Sequence, residues 1–409
     1  LEFAVSTPKH HLFDGIICIG GEDWWYHNRG HFDLQIVRRF ARRMPVLFVN
    51  SLGVRIPNPR SDSKFAHRIT RKLKSFGRGL VEVEPNFWVF SPVAVPGSTG
   101  RVFNAVALAP QIRLAALRAG IARPVLWVHC PPGADLIDRI PSVVSVLQRT
   151  DRFEAFPDGD HALMRDQLAR LRQWADLTLY CAPHLAAEER DTVRRQLVVT
   201  HGVDLERFSD AGAKARAGTG EPGDLAGIAR PRVGFIGGVD HHTFDPELFL
   251  AVVDRVPQAE FVLVGACTLP DGWLGGRKNV HWLGRKPYEE IADYMAHMDA
   301  LIMPWNRSEW IEACNPIKLK EYLAVRRPVV TTDFPALAPW RDCVRVASDA
   351  DGFANAVTAA LEDGIGPDLT ERLTAETWDR KAKTVLQEIR AIALDRAGPI
   401  RHVATDRAA

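Results

Sequence analysis

The chain has 409 residues, 46% hydrophobic and 25% charged, with a formal net charge of +2. That length exceeds one ordinary domain and fits two of roughly 150–200 residues, with a globular composition. The charge balance excludes a global attraction to nucleic acid, no apolar run reaches the ~18 residues of a membrane span, and six scattered cysteines without a CxxC pair exclude a disulfide or zinc scaffold.

In chain order, Asp14–Ile19 reads as a buried strand, His31–Arg42 as a helix and Val46–Val49 as a second strand. Strands at Leu80–Glu84 and Phe87–Phe90 follow, then a helix over Val102–Leu117 and a strand at Pro124–Val128. Val143–Leu147, a helix over His161–Trp174, Leu177–Cys181 and Leu197–Thr200 complete the first half. Ser209 to Arg230 is rich in Gly, Ala and Asp without apolar periodicity and reads as a linker. Short apolar runs then recur at Arg232–Ile236, Glu260–Val264, Val280–Leu283, Ala300–Met303 and Val329–Thr331, with helical patterns at Asp245–Arg255, Tyr288–Met295 and Pro316–Val325. Strand and helix in alternation argue for βαβ units and parallel sheets. A last helical pattern runs from Thr370 to Arg396, too far along to be one more crossover.

The expected division is a Rossmann-like domain over 1–208, a linker over 209–230, a second Rossmann-like domain over 231–368, and a C-terminal helix and tail over 369–409. Ligands in such sheets bind outside the carboxyl ends of the strands. In the first domain those ends carry Gly20, Gly21, Glu22, Asp23, Trp24 and Trp25, with His129 after the Pro124–Val128 strand and Asp151 after the next. Aromatic faces suit sugar rings, although the tryptophans equally fit plain packing and a lone histidine a structural role. Gly21, Glu22, Trp24 and Asp151 are candidates for ligand binding, and Asp23 and His129 for a general base.

In the second domain, Gly237 and Gly238 end a strand and let a ligand approach the backbone; the GxGxxG fingerprint is absent. The segment PWNRSEWIEACNPIKLKEYLAVRRPVV, from Pro304 to Val330, holds more. Asn315 reads as the cap of a helix whose first residue is Pro316, a ready phosphate site. Lys318 adds positive charge in the first turn, and Glu321, three residues on, can accept from a ribose diol. A capped helix with an exposed Lys–Glu pair is the bland alternative.

The core Asn315-Pro316-x-Lys318-x-x-Glu321-Tyr322-Leu323-Ala324, followed by Arg327-Pro328-Val329-Val330, resembles the donor motif of GT-B glycosyltransferases close to family 4, in the teichuronic-acid-type subgroup. Gly234 to Gly238, Leu283-Gly284-Arg285 and His201-Gly202-Val203-Asp204 match more loosely. The resemblance implies an α/β protein of GT-B fold with two facing Rossmann-like domains. The first (1–208) is acceptor-binding through Gly21, Glu22, Trp24 and Asp151, the second (231–368) is nucleotide-sugar-binding, and the C-terminal helix (369–409) crosses back toward the first. It implies a hexosyl- or N-acetylhexosaminyltransferase using an NDP-sugar, UDP-linked, with the leaving phosphate taking the acceptor proton if configuration is retained and Asp23 or His129 serving as base if it is inverted. Arg285 joins the donor group as a diphosphate ligand. The family places a further Glu eight positions before the ribose ligand, where this chain has Ala313, so Glu312 or Glu309 would face the sugar. A GT-B-shaped epimerase and a non-catalytic sugar-nucleotide binder are the other readings.

No cofactor or metal is expected. Asp158-Gly159-Asp160 reads as turn and capping chemistry, and His10-His11 and His241-His242 lack a third ligand. From Arg38 to Arg78 twelve Lys or Arg face one acid, Asp62. Such a tract suits an anionic membrane surface, an acidic carrier protein or a plain solvated face. The cytoplasm is the expected compartment, with peripheral membrane attachment through this tract; Leu1-Glu2-Phe3 lacks an initiating Met and supports no targeting inference.

Overall fold

The computed structural model describes residues 12–26, 30–52, 65–94, 98–155, 160–308, 311–312 and 314–397. The first lobe is built on β1 (Gly15–Ile19), β2 (Val46–Val49), β3 (Leu80–Glu84), β4 (Phe87–Phe90), β5 (Pro124–Val128), β6 (Val144–Arg149), β7 (Leu177–Tyr180) and β8 (Gln196–Val198). Their spatial order is β3-β4-β2-β1-β5-β6-β7-β8, with β3 antiparallel to β4 and the other pairs parallel. The helices here are α1 (Phe32–Ala41), α2 (Phe65–Arg78), α3 (Ser98–Arg118), α4 (His161–Trp174) and α5 (Pro183–Glu188). Every residue of β1, β2 and β5 is buried, because helices cover both faces of the sheet. One face packs α1, the other α3 and α4. β3, with the alternating LVEVE pattern, lies half-exposed at the edge.

The second lobe contains α6 (Leu205–Arg216), β9 (Arg232–Ile236), α7 (Pro246–Arg255), β10 (Glu260–Val264), β11 (Val280–Trp282), α8 (Ile291–Ala296), β12 (Ala300–Met303), α9 (Ile317–Ala324), β13 (Val329–Thr331), β14 (Arg345–Val346), α10 (Ala350–Asp363) and α11 (Thr370–Ala375). Its sheet order is β11-β10-β9-β12-β13-β14, all parallel. The start of α7 follows its sequence signal: Asp245 accepts from the Leu248 N–H at 2.9 Å, and Pro246 holds the first helical position.

The last helix, α12 (Trp378–Ala397), returns to the first lobe. Trp378, Ala382, Val385, Leu386 and Ile389 form one helical stripe buried in the first core. Arg39 and Arg42 of α1 pin its first turn through Asp379. The two strands of chain that cross between lobes run side by side, with the Val203 N–H donating to Glu376 O and the Trp378 N–H to Val203 O.

Two boundaries differ from the sequence reading. Residues 209–230 are not a bare linker: α6 covers Leu205–Arg216, and Phe208, Ala211, Leu225 and Ile228 are buried in the second core. The buried Arg232 guanidinium donates to the carbonyls of Leu225 and Ile228, closing that segment onto the lobe. Nor does the return begin at 369, since Leu373 of α11 still packs in the second core.

Each sheet reverses its winding beside its central strand, at β1–β5 and at β9–β12. Crevices outside the carboxyl ends of the strands at such reversals are where open α/β sheets hold ligands.

Candidate functional site

At the second reversal, β9 runs into Gly237 and Gly238. A Cβ on Gly237 would lie 2.1 Å from Lys318 Nζ. One on Gly265, at the end of β10, would lie 1.8 Å from Gly237 O, and Gly265 has φ +150°. Only glycine fits there. The Gly265 N–H donates to Gly284 O at 2.9 Å, which sets the Gly284-Arg285 loop at the edge of this bare floor. Arg285 is exposed. Gly238 is exposed, and a Cβ there would lie 2.8 Å from Asp240 Oδ2.

Helix α9 stands at the other side of the floor. It begins one residue later than expected: Pro316 is the N-cap, in extended conformation, with no side-chain cap. Asn315 therefore lies outside the helix, and the first-turn N–H groups have no side-chain acceptor. Tyr322 ties the helix to the sheet, its hydroxyl accepting from the Ile236 N–H at 2.8 Å. Lys318 Nζ sits 4.6 Å from the Phe235 ring centroid and 5.6 Å from that of Trp305, without an ion pair among the described residues. Burial lowers its pKa to about 8. An ammonium half-removed from water, beside orphan N–H groups and a positive helix end, is a site for an anion.

Glu321, only 5% exposed, receives one long hydrogen bond from the Tyr288 hydroxyl at 3.4 Å. Burial raises its pKa to about 7, against the opposing pull of Arg207. Its remaining lone pairs suit a hydroxyl-bearing ligand. Glu312 is exposed, with its N–H donating to Ser308 O, while Glu309 and Ala313 lie outside the described residues.

At the first reversal, a Cβ on Gly21 would lie 2.6 Å from His129 Nδ1. That nitrogen is 3.1 Å from Asp33 Oδ2, and His129 Nε2 is 2.9 Å from Thr150 Oγ1. Asp33 is fully buried; burial would raise its pKa, but the neighbouring imidazole prevails and holds it at about 2. His129 shifts upward although burial opposes it, because Asp33, then Asp151 and Glu22, favour the imidazolium. Burial raises the Asp151 carboxyl. The structure thus brings Gly21, Glu22, His129 and Asp151 together, and adds Asp33 and Thr150, which the sequence reading missed. Asp33 had one signal: it is the only acid between Asp23 and Asp62.

Two candidates are corrected. Asp23 is a structural carboxylate, with Oδ1 accepting from the Trp25 N–H and Oδ2 from the Ser75 hydroxyl of α2. Trp24 is 3% exposed and packs on Phe87, so it offers no face to a ligand. Asp160 caps α4, accepting from the Leu163 N–H, as a turn reading requires; residues 158 and 159, and His10-His11, lie outside the described residues.

The two sites approach each other. Ile317, the first residue of α9, packs on the first-lobe core, and the Asp151 charge is felt at Cys314 across the lobes. Lys320 donates to Thr200 Oγ1, His201 O and Glu376 Oε2, fastening α9 to both crossing strands. A cavity of about 130 Å³ between Asn315, Pro316, Lys320, Thr200, Trp340 and Glu376 lies at this junction.

Residues 230–363 match the family described as glycosyl transferases group 1. TuaH of Bacillus subtilis (strain 168), assigned by name to teichuronic acid biosynthesis as a glycosyltransferase, is 31% identical over 163 residues. That match covers 37% of this chain and 38% of the relative. Among solved structures, the chain is similar to sucrose-phosphate synthase from Thermosynechococcus elongatus, with TM-score 0.60, 16% identity, and coverage of 94% of this chain and 97% of that one. Anabaena HepE in complex with UDP and glucose gives TM-score 0.54 at 16% identity, covering 94% and 98%. The E. coli trehalose-6-phosphate protein bound with UDP-2-fluoro glucose gives 0.60 at 10%, covering 92% and 99%. With two facing parallel-rich sheets and a returning C-terminal helix, this chain has the GT-B fold, and its second lobe matches glycosyl transferases group 1.

Proposed function

We propose that the protein is a glycosyltransferase moving a hexosyl or N-acetylhexosaminyl group from a nucleoside diphosphate sugar to a small-molecule, carrier-bound, lipid or polysaccharide acceptor. The observation that carries this reading is the unpaired Lys318 ammonium at an uncapped helix start, pressed against a glycine floor. The diphosphate lies on the first-turn N–H groups of α9, with Lys318 and Arg285 as cations and the backbone of Gly237 and Gly238 beneath. Glu321 accepts from the ribose hydroxyls. These groups stabilise the leaving diphosphate electrostatically, and the reading needs no metal.

The sugar then extends toward the first lobe, where His129, held by Asp33 and Thr150, meets it beside Gly21, Glu22 and Asp151. Glu312, on the loop before α9, approaches the sugar from the donor side. The bond between the anomeric carbon and the phosphate oxygen breaks, the acceptor oxygen bonds that carbon, and its proton passes to the leaving phosphate. Acceptor attack on the face the phosphate leaves retains configuration. UDP is the preferred nucleotide, in keeping with the UDP ligands named for two structural neighbours. Of the basic tract over 38–78, Arg38, Arg39 and Arg42 are held by Glu84 and Asp379, and the remainder fits an acidic carrier protein or an anionic membrane surface that presents the acceptor.

The test is incubation of the full chain with UDP-, GDP- and TDP-hexoses without acceptor, followed by NMR. Slow release of nucleoside diphosphate and free sugar, fastest from the UDP donor and retaining at early times, is expected. An epimerised sugar nucleotide, or no release from any donor, contradicts the reading.

A further inference from the structure

Helix α3 is apolar on both sides. Leu108, Ala109, Ile112, Ala115 and Ala116 face inward and are buried in the first core. On the other side Val106, Leu114 and Leu117 are 63%, 51% and 62% exposed, with Pro110 and Arg113 exposed between them. At helical periodicity, positions 106, 110, 113 and 117 form one stripe. Val93, 55% exposed, extends it, because the Gln111 side chain holds both the N–H and the carbonyl of Val93. A helix hydrophobic all round belongs in a core or in lipid, and a contiguous exposed apolar patch marks an interaction surface.

Within the segment that carries the stripe the charge has one sign, and Asp14, accepting from the Ala122 and Arg123 N–H groups, is an acid beside its end. No acid occurs between Glu84 and Asp135, whereas Arg101, Arg113, Arg118 and Arg123 do. Arg113 and Arg118 are exposed without an ion pair among the described residues. Beneath Arg113 and Leu117 lies a recess of about 90 Å³ walled by Ile17, Ala116, Ile121 and Ile140.

We propose that the outer face of α3 docks the protein on an anionic bilayer surface. Val93, Val106, Leu114 and Leu117 enter the headgroup–acyl boundary, while Arg113 and Arg118 meet lipid phosphates. A second copy of this chain fits poorly, since a two-fold contact would set Arg113 and Arg118 of one stripe against those of the other. The inference is independent of the transferase reading, because its test uses neither donor nor acceptor.

The experiment is co-sedimentation of the full chain with phosphatidylcholine vesicles, with and without phosphatidylglycerol. Binding to the anionic vesicles alone, weakening as salt rises, is expected. Arg113→Ala and Arg118→Ala should each lower partitioning roughly fivefold. The double variant Val106→Glu, Leu117→Glu should lower it roughly tenfold or more, with an unchanged melting temperature. Absence of binding to anionic vesicles overturns the proposal, as does undiminished binding of the double variant. A concentration-dependent dimer that the same substitutions dissolve assigns the face to a second copy and also overturns it. Failure to bind any nucleoside diphosphate would strike the transferase reading and leave the vesicle result standing.

Discussion

Burial pushes Lys318 and Glu321 toward each other on the pH scale, to about 8 and about 7. For Glu321 the folded value lies above the ordinary 4.5, so the unfolded chain gives up its proton first. Stability is therefore fullest below about 4.5 and declines until the pH passes about 7. Glu321→Gln should remove that decline in thermal melts across this range, while weakening nucleoside diphosphate affinity roughly tenfold through the lost charged acceptor. A wild-type stability that rises over the same range would contradict it. Asp33→Asn removes the carboxylate that most favours the charged form of the buried His129 ring, so it should destabilise the fold in urea unfolding and lower the His129 pKa by NMR. Lys318 and Glu321 were legible because one helix face holds both. Asp33 and Thr150 were not, because the sheet, not local spacing, brings them to His129. Asp23 and Trp24 misled for the same reason: Ser75, Asn50 and Phe87, remote in sequence, decide that they are core.

Helix α9 and the glycine floor act as a single element. Its sequence signal, Asn-Pro before an apolar pattern, placed it within one residue. The extended conformation of Pro316 then moves the start to Ile317, and Asn315 lines the interlobe cavity instead of capping. A methyl at 237 would meet the tip of a flexible lysine and not backbone, so Gly237→Ala should fold normally. By displacing Lys318 Nζ it should weaken nucleoside diphosphate binding roughly tenfold, about 1.4 kcal/mol. Unchanged calorimetric affinity would separate the floor from the ligand. The rhythm of strands was legible as far as β13, since fully buried parallel strands read as continuous apolar runs, but not at β14, two residues long and partly exposed. α6 was not, because its Gly and Ala composition mimics a linker until its contacts with the second lobe are seen.

At the scale of the molecule, the lobes are joined where Lys320 and Lys381 converge on Glu376. Those cations overcome the effect of burial and hold the Glu376 carboxyl at about 2, below the ordinary 4.5. Its contribution is complete above about 4.5 and is lost as the pH falls through about 2. Glu376→Gln should leave Lys320 buried without its partner. Faster hydrogen exchange at the Val203 and Trp378 amides, which bridge the two crossings, is the expected readout; unaltered exchange would deny Glu376 this role. The two-lobed plan and a last helix were legible from periodicity and the return of that helix from the family resemblance, but not which residues close the hinge, since three separate segments supply them. The most direct test of the whole account is calorimetry of UDP binding to the wild-type chain and to Lys318→Ala. Binding by the wild type and a roughly 10- to 100-fold loss in the variant, the worth of a charge-assisted hydrogen bond, is expected. Equal affinity in the two proteins would contradict the assignment of the anion site to the start of α9.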